Sequence, residues 1–222
     1  MLLLFDIDGT LLQNASREHA ESLLHALDRV HGIGAPSGAI DAAGRTDLAI
    51  ARTILLAAGV SAERIEDGAE EVRAITCEEY ANRCPGDLSG LLAPDADDVV
   101  TELSADERFH LSLVTGNLEP VARLKLMRAG IGHHFPRGQG GFGSDHEDRA
   151  ELPPIARRRA GGRPREQTVV IGDTPRDIAC ARSDGLAVIA VTTGPYGRRE
   201  LESADVVIDR LGELPAALTR LP

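Results

Sequence analysis

Apolar residues follow two patterns along this chain, short continuous runs and a spacing of three and four. The continuous runs, typical of strands buried on both faces, occupy residues 2–5, 109–114, 168–171, 187–191 and 206–208. Helical spacing fills the stretches between them, including residues 95–103 and 117–129. Strands that alternate with helices predict parallel βαβ units. We therefore expect an α/β fold with a Rossmann-like, doubly wound parallel sheet.

One long stretch, residues 14–85, shows only the helical spacing. The predicted helices run from Ser16 to Val30, from Asp47 to Ala58 and from about Ser61 to Arg83. Ser16 and Thr46 are placed to cap the first two. A loop between these two is predicted from Gly32, Gly34, Pro36 and Gly38. We predict a core domain of residues 1–13 and 86–222, interrupted after its first strand by an all-helical domain of residues 14–85.

Composition limits the classes of partner. The chain has 222 residues, 42% hydrophobic and 27% charged, which are globular values. A formal net charge of −11 argues against non-specific nucleic-acid binding. There is no apolar run of membrane-spanning length and no basic leader before an apolar segment. We expect a soluble, cytoplasmic protein, monomeric or homodimeric, that binds neither nucleic acid nor membrane.

The cysteines and the single lysine restrict the chemistry further. Cys77, Cys84 and Cys180 are odd in number and lack zinc-like spacing, so free thiols in a reducing compartment are expected. Lys125 is the only lysine, and its place on the predicted helix of residues 117–129 indicates a solvated side chain.

The first apolar run ends in two carboxylates, Asp6 and Asp8, followed by Gly9. Ligands of open α/β sheets gather at the carboxyl ends of the strands, so both side chains are expected where a substrate can reach them. The turn at Gly9 lets the two carboxylates take separate roles. One is a candidate nucleophile and the other a candidate proton carrier.

The second predicted strand ends in Thr115-Gly116-Asn117, just before a helix. A hydroxyl, backbone N–H groups and a helix N-terminus can converge on one phosphate at such a place. The alternative is that these residues only cap the helix.

A third buried run ends in Asp173, and Asp177 follows four residues later. Mg²⁺ prefers oxygen ligands in octahedral geometry, and such carboxylates together with the Asp6 side chain would suffice. The alternative is that Asp173 and Asp177 cap the following helix, where negative charge is favoured.

The content and order of these three motifs resemble the haloacid dehalogenase superfamily, and the turn at residues 44–47 is similar to its phosphoglycolate-phosphatase-like members. The resemblance implies an aspartyl-phosphate on Asp6 and a proton carrier in Asp8, whose backbone carbonyl also faces the metal. It implies phosphate binding by Thr115, Gly116 and Asn117, and Mg²⁺ binding by Asp6, Asp8, Asp173 and Asp177. The cofactor it implies is Mg²⁺.

The resemblance also implies a basic residue, usually lysine, ahead of the third motif. No lysine lies between Gly138 and Arg165, and Arg149 is the candidate that replaces it. Its guanidinium can bridge a phosphate and a carboxylate. The alternative is a surface arginine paired with Asp148 or Glu151.

The helical insertion resembles the cap that this superfamily places over its active site. Arg45 and Thr46, in the turn of residues 44–47, are the candidates for substrate selection, the alternative being a helix cap with a solvated arginine. The function implied is a Mg²⁺-dependent phosphatase acting on a small phosphorylated metabolite such as a phosphoglycolate-like phosphomonoester. A sugar phosphomutase of the same fold and a non-catalytic phosphate-binding module are the alternatives.

Overall fold

The structure is a computed structural model that describes residues 1–34 and 41–221. Within these ranges the strands are β1 (Leu2–Phe5), β2 (His110–Thr115), β3 (Gly141–Phe142), β4 (Thr168–Gly172), β5 (Ala187–Val191) and β6 (Val206–Ile208). They form one parallel sheet in the order β3-β2-β1-β4-β5-β6. The predicted α/β fold with a doubly wound parallel sheet is confirmed. The two-residue strand β3 was not predicted, and Pro36 and Gly38 of the predicted loop lie outside the described residues.

The helices flank this sheet or lie between β1 and β2 along the chain. They are α1 (Arg17–His31), α2 (Asp47–Ala57), α3 (Ala62–Arg83), α4 (Ala96–Ala105), α5 (Glu119–Arg128), α6 (Leu152–Arg159), α7 (Pro175–Ser183) and α8 (Leu214–Leu218). In the described ranges, none of them combines the length and the apolar character needed to cross a bilayer.

The central strand β1 is buried on both faces. Leu3 and Phe5 point into one hydrophobic cluster, which α4, α5 and α8 complete. Leu2 and Leu4 point into a second cluster on the opposite face, closed by α6 and α7. Burial on both sides explains why β1 reads as a continuous apolar run, and it leaves the carboxyl end of the strand as the place where polar residues can begin.

A third hydrophobic cluster lies among α1, α2 and α3, apart from the two sheet clusters. Leu27, Ile54 and Val72 represent the three helices in it. Tyr80, near the end of α3, belongs instead to the cluster beneath the sheet and so joins the helical bundle to the core. The boundaries of the insertion at residues 14 and 85 stay a prediction.

The two predicted helix caps differ in outcome. The Thr46 side chain accepts a hydrogen bond from the Ala49 N–H at 3.1 Å, as an N-cap does. The Ser16 cap is wrong. Ser16 adopts helical backbone angles rather than the extended conformation of an N-cap, and its hydroxyl instead donates to Asp8 Oδ1 at 3.3 Å.

Candidate active site

The carboxyl ends of the three central strands bring the predicted motifs together. The register places Phe5 opposite both Leu113 of β2 and Ile171 of β4, so the residues that follow these strands meet at one edge of the sheet. Carboxylate oxygens of Asp6, Asp173 and Asp177 lie within 4.8 Å of one another, and all three residues are buried. Three carboxylates this close repel one another unless a cation or a proton compensates them.

Arg149 supplies one compensating charge. Its Nη2 lies 3.2 Å from Asp6 Oδ1 and also donates to Asp177 Oδ1, and the residue is only 8% exposed. Burial opposes the charged form, but Asp177 and Asp6 outweigh it and raise the pKa of Arg149. The surface arginine considered as an alternative is therefore not what the structure contains. The role of this guanidinium in bridging a phosphate stays a prediction.

Asp177 has its oxygens engaged by the protein itself. Its Oδ2 accepts hydrogen bonds from the Thr174 N–H at 2.9 Å and the Thr174 hydroxyl at 2.7 Å. Together with the bond from the Asp177 N–H to the Thr174 hydroxyl, this is a capping box at the start of α7. Asp177 thus does cap the helix, as the alternative held, while also lying in the carboxylate cluster.

Asp173 differs from Asp177 because one of its oxygens is free. Its Oδ1 accepts from the Thr10 hydroxyl at 2.9 Å, while its buried Oδ2 has no hydrogen-bond partner among the described residues. Gly9 and Gly194 pack directly against this carboxylate, and a Cβ on either would overlap it. Gly9 also has a φ of +90°, which L side chains rarely adopt. An unpartnered buried carboxylate oxygen beside Asp6 fits a hard cation such as Mg²⁺.

The electrostatics of the metal-free cluster favour protonation. Burial, together with the neighbouring charges of Asp177 and Asp6, raises the pKa of Asp173 to about 9. Burial likewise raises the pKa of Asp6 to about 6, although Arg149 opposes the shift. Without a cation, the folded protein therefore holds protons that the unfolded chain releases.

This proton uptake predicts an unusual pH dependence of stability in metal-free protein. A raised folded-state pKa means that the folded state binds more protons than the unfolded state between about pH 4 and pH 9, so stability falls as pH rises through that window. From pH 5.5 to pH 8 the Tm of chelator-treated protein should drop by at least about 3 °C, which corresponds to about 1 kcal/mol in a chain of this size. Calorimetry at the two pH values measures it.

Asp173→Asn is the matched control for this prediction, because the amide keeps the Thr10 hydrogen bond but cannot ionise. The variant should lose most of the drop, and saturating Mg²⁺ should raise the wild-type Tm at pH 8 but not that of the variant. An equal pH dependence in both proteins would contradict the assignment.

Asp8 has a partner that sequence reasoning missed. Lys125 is fully buried, and its Nζ donates to both Asp8 oxygens at 2.7 Å and to Asn117 Oδ1 at 2.8 Å. The expectation that Lys125 is solvated is wrong. A signal was present in the sequence, because Lys125 lies four residues after Val121 and three after Ala122, on the buried face of α5. A charged side chain at a buried helix position is not expected from spacing alone.

The Lys125 contact extends to the helical insertion. Lys125 Nζ lies 3.4 Å from His19 Nδ1, and His19 Nε2 lies 3.0 Å from Asp47 Oδ2. Asp47 Oδ2 also accepts from the Leu118 N–H at 2.8 Å. Burial by itself would raise the pKa of Asp8, but the Lys125 ammonium beside it holds that pKa below its ordinary value. A chain of polar contacts therefore joins Asp8 to α1 and to the start of α2.

The predicted phosphate-binding residues lie at the end of β2, where some of their polar groups form hydrogen bonds within the protein. Asn117 Nδ2 donates to Asp8 Oδ2 at 2.8 Å and to Thr115 Oγ1 at 2.9 Å, so its side chain orients Asp8. Gly116 and Asn117 line a cavity at this edge of the sheet, whereas the buried Thr115 is not in its wall. Phosphate binding by these residues stays a prediction.

The turn of residues 44–47 packs against this edge of the core. A Cβ on Gly116 would overlap the Arg45 carbonyl, and the Asp47 N–H donates to the Gly116 carbonyl at 2.9 Å. Arg149 Nη1 donates to the Gly44 carbonyl at 3.2 Å. The Thr46 hydroxyl accepts the capping hydrogen bond from the Ala49 N–H of α2 and donates one to the Glu147 carbonyl at 2.5 Å. Thr46 therefore acts as a cap and a contact to the core.

Arg45 lies in the wall of the cavity, and its guanidinium forms no ion pair with any of the described residues. Its Nη1 donates to Oγ1 of Thr53, a residue in the second turn of α2, at 3.2 Å. Substrate selection by Arg45 and Thr46 stays a prediction. The cavity itself measures about 1000 Å³ and runs from Asp6, Asp8 and Asp173 to the space between α1 and α2.

Comparison with known proteins gives a family match. A family model described as haloacid dehalogenase-like hydrolase matches residues 3–182. A relative named "Probable phosphatase IndB" from Dickeya dadantii (strain 3937) is 26% identical over 219 residues, which cover 97% of this chain and 92% of the relative.

Two solved structures illustrate the similarity in fold. A structure described as a predicted phosphatase from Clostridium acetobutylicum is 18% identical, with a TM-score of 0.72 over 99% of this chain and 98% of that one. A beta-phosphoglucomutase from Clostridium difficile is 17% identical, with a TM-score of 0.68 over 99% of this chain and 96% of the other. At these identities the likeness shows the fold alone.

Proposed function

The chain belongs to the haloacid dehalogenase-like hydrolase family, and from this membership we propose that it is a Mg²⁺-dependent phosphatase of a small phosphorylated metabolite. The observation that carries the proposal is the buried Asp173 oxygen that lies in a cluster with Asp6 and has no hydrogen-bond partner in the described part of the chain. The name of the relative from Dickeya dadantii, a probable phosphatase, supports the same reaction class.

In the proposed reaction, an Asp6 oxygen attacks the phosphorus and the substrate alcohol leaves. Asp8 passes a proton to the departing oxygen, and the Lys125 ammonium, hydrogen-bonded to both Asp8 oxygens, holds the Asp8 side chain in position. Water then hydrolyses the aspartyl-phosphate on Asp6, and Asp8 takes up a proton from that water. Asp8 thereby regains the proton that it gave to the alcohol.

The remaining residues of the site would bind the cation and balance the negative charge of the phosphate. Asp6 and Asp173 are the side chains that would hold the cation, with Asp177 near them. The family resemblance implies the Asp8 backbone carbonyl as a further oxygen. A bound divalent cation screens the carboxylates and the phosphate from each other and stabilises the charge of the transferring group. The Arg149 guanidinium, already 3.2 Å from Asp6, orients the nucleophile and can donate to a phosphate oxygen.

The proposal is tested by measuring phosphate release from a panel of phosphomonoesters, with Mg²⁺ and with a chelator. Release that requires Mg²⁺ is the expected result. No release from any compound, with beryllofluoride still bound by the protein, would contradict the proposal in favour of the phosphate-binding module.

Arg149→Ala is expected to lower kcat/KM at least about 100-fold, because it removes a charge-assisted contact to the nucleophile and the phosphate together. Steady-state kinetics measure the loss. Arg149→Lys should recover part of it, since a single ammonium can still reach one of the two groups. The matched control is Arg165→Ala, which removes an arginine that pairs with Asp184 instead. A loss of threefold or less in Arg149→Ala would show that another group performs this role.

The sugar phosphomutase alternative predicts a different dependence. A mutase needs a bisphosphate activator and transfers phosphate within its substrate, so activity that rises with a sugar bisphosphate and releases little phosphate would favour it over the phosphatase.

A further inference from the structure

The cavity beside the carboxylate cluster changes character along its length. At the sheet edge its wall includes Asp6, Asp8, Asp173 and Asn117. Between α1 and α2 the wall includes four aliphatic side chains, Leu23, Leu24, Ile50 and Ile54, beside the polar residues Arg17, His19, Arg45 and Asp47. The two regions belong to one continuous space, so a molecule whose phosphate lies at Asp6 has its organic part directed towards the aliphatic region.

Two helices build the aliphatic region. Leu23 and Leu24 are consecutive residues of α1 that both border the cavity, and Ile50 and Ile54 are four residues apart on one face of α2. Leu23 and Ile54 are buried in the bundle cluster, whereas Leu24 and Ile50 are only partly buried and pack on its edge. The cavity thus ends on the apolar core of the insertion.

The size of the cavity also bears on the substrate. Its volume is about 1000 Å³, at the upper end of the range for pockets that hold drug-sized ligands, roughly 300–1,000 Å³. A phosphorylated two-carbon acid would occupy only the region near the carboxylates. A sugar phosphate that reached Leu24 and Ile50 would place hydroxyls against aliphatic side chains that offer no hydrogen bonds, which costs free energy for each unpaired group.

We propose, on the basis of the proposed phosphatase function, that the substrates are phosphomonoesters with an apolar alkyl or aryl body that contacts Leu24 and Ile50. The phosphate binds at the carboxylate edge, and the apolar body displaces water from the aliphatic wall. Ile50 and Leu24 are then specificity-determining residues, while the reacting atoms stay with Asp6 and Asp8. Burial of the apolar body against these side chains favours such substrates over phosphomonoesters without one.

A homologous series of primary alkyl phosphates, from ethyl to decyl, tests the proposal. The leaving alcohols have nearly equal acidity, so the chemical step is constant and only the apolar body changes. With Mg²⁺ present, kcat/KM should rise by about threefold to fourfold for each added methylene that is buried, until the aliphatic wall is covered. A constant kcat/KM along the series would overturn the proposal.

Ile50→Thr and Val30→Thr form a matched pair of variants. Val30 packs on the same bundle cluster as Ile50 but is not in the cavity wall. Ile50→Thr should flatten the dependence of kcat/KM on chain length, and Val30→Thr should leave that dependence unchanged. Equal effects of the two variants would overturn the assignment of Ile50.

Binding of alkylphosphonates, which cannot be hydrolysed at the P–C bond, separates this inference from the proposed function. Calorimetric titration of the Mg²⁺-loaded protein should show octylphosphonate binding at least about 30-fold tighter than ethylphosphonate. Tighter binding without hydrolysis of any ester would support the apolar site and contradict the phosphatase. Hydrolysis of ethyl phosphate with equal binding of both phosphonates would support the phosphatase and overturn the apolar site.

Discussion

Replacing Asp6 by asparagine is expected to lower phosphate release at least about 1,000-fold, because an amide oxygen does not serve as the nucleophile in phosphoryl transfer. Asn has nearly the same shape as Asp and can still accept a hydrogen bond from Arg149. Loss of activity should therefore occur without loss of the fold. Phosphate release under saturating Mg²⁺, measured beside wild-type protein, gives the result.

Two further measurements make the Asp6→Asn result specific. Burial raises the pKa of Asp6 to about 6, so a neutral residue here relieves a buried charge and the Tm of metal-free protein at pH 8 should not fall. Asp98→Asn, which changes an exposed aspartate on α4, is the control and should keep full activity. Phosphate release retained in Asp6→Asn would mean that another group attacks the phosphorus.

Replacing Lys125 by methionine is expected to have the largest effect on stability, a loss of about 2–3 kcal/mol in the free energy of unfolding. Removing one member of a buried ion pair leaves the other charge without compensation, which costs about 3–5 kcal/mol when both are fully buried. Here the Lys125 side chain is fully buried and that of Asp8 is 24% exposed, so a somewhat smaller cost is expected. Guanidinium unfolding at pH 7 measures it.

A double-mutant cycle shows whether the loss comes from the Asp8 pair. Asp8→Asn combined with Lys125→Met should be less destabilising than the sum of the single changes by at least about 1 kcal/mol, because the residues are in contact. Arg158→Met, an exposed basic position on α6, is the control and should change stability by less than about 0.5 kcal/mol. Additive effects of the two changes would contradict the pairing.

The fold was predictable because β1, β2 and β4 are buried on both faces and therefore appear as apolar runs. The same burial confines polar residues to the strand ends, which is why the sequence alone predicts Asp6 and Asp173 at one edge of the sheet. Strand β3 could not be found in this way. Gly141 and Phe142 are too few to show a period, and they join the sheet only through pairing with β2.

The polar contacts around Asp8 could not be predicted from the sequence, for different reasons. His19 and Asp47 are 28 residues apart and meet only because α1 packs beside α2, so no local pattern connects them. The expectation of a solvated Lys125 rests on the usual exposure of lysines on helices, whereas its spacing from Val121 places it on the buried face of α5. Arg149 was identified from the missing lysine, and its contacts with Asp6 and Asp177 became visible only in three dimensions.

Arg149 contacts Asp6 with one nitrogen and the Gly44 carbonyl with another. One side chain thus borders both Asp6, the proposed nucleophile, and the turn that carries Arg45 into the cavity wall. A mutation that shifts this turn to admit a new compound also shifts the positive charge beside Asp6. In laboratory evolution of this scaffold, we therefore expect substrate range and turnover to change together, with reshaping of the far aliphatic wall as the route that separates them.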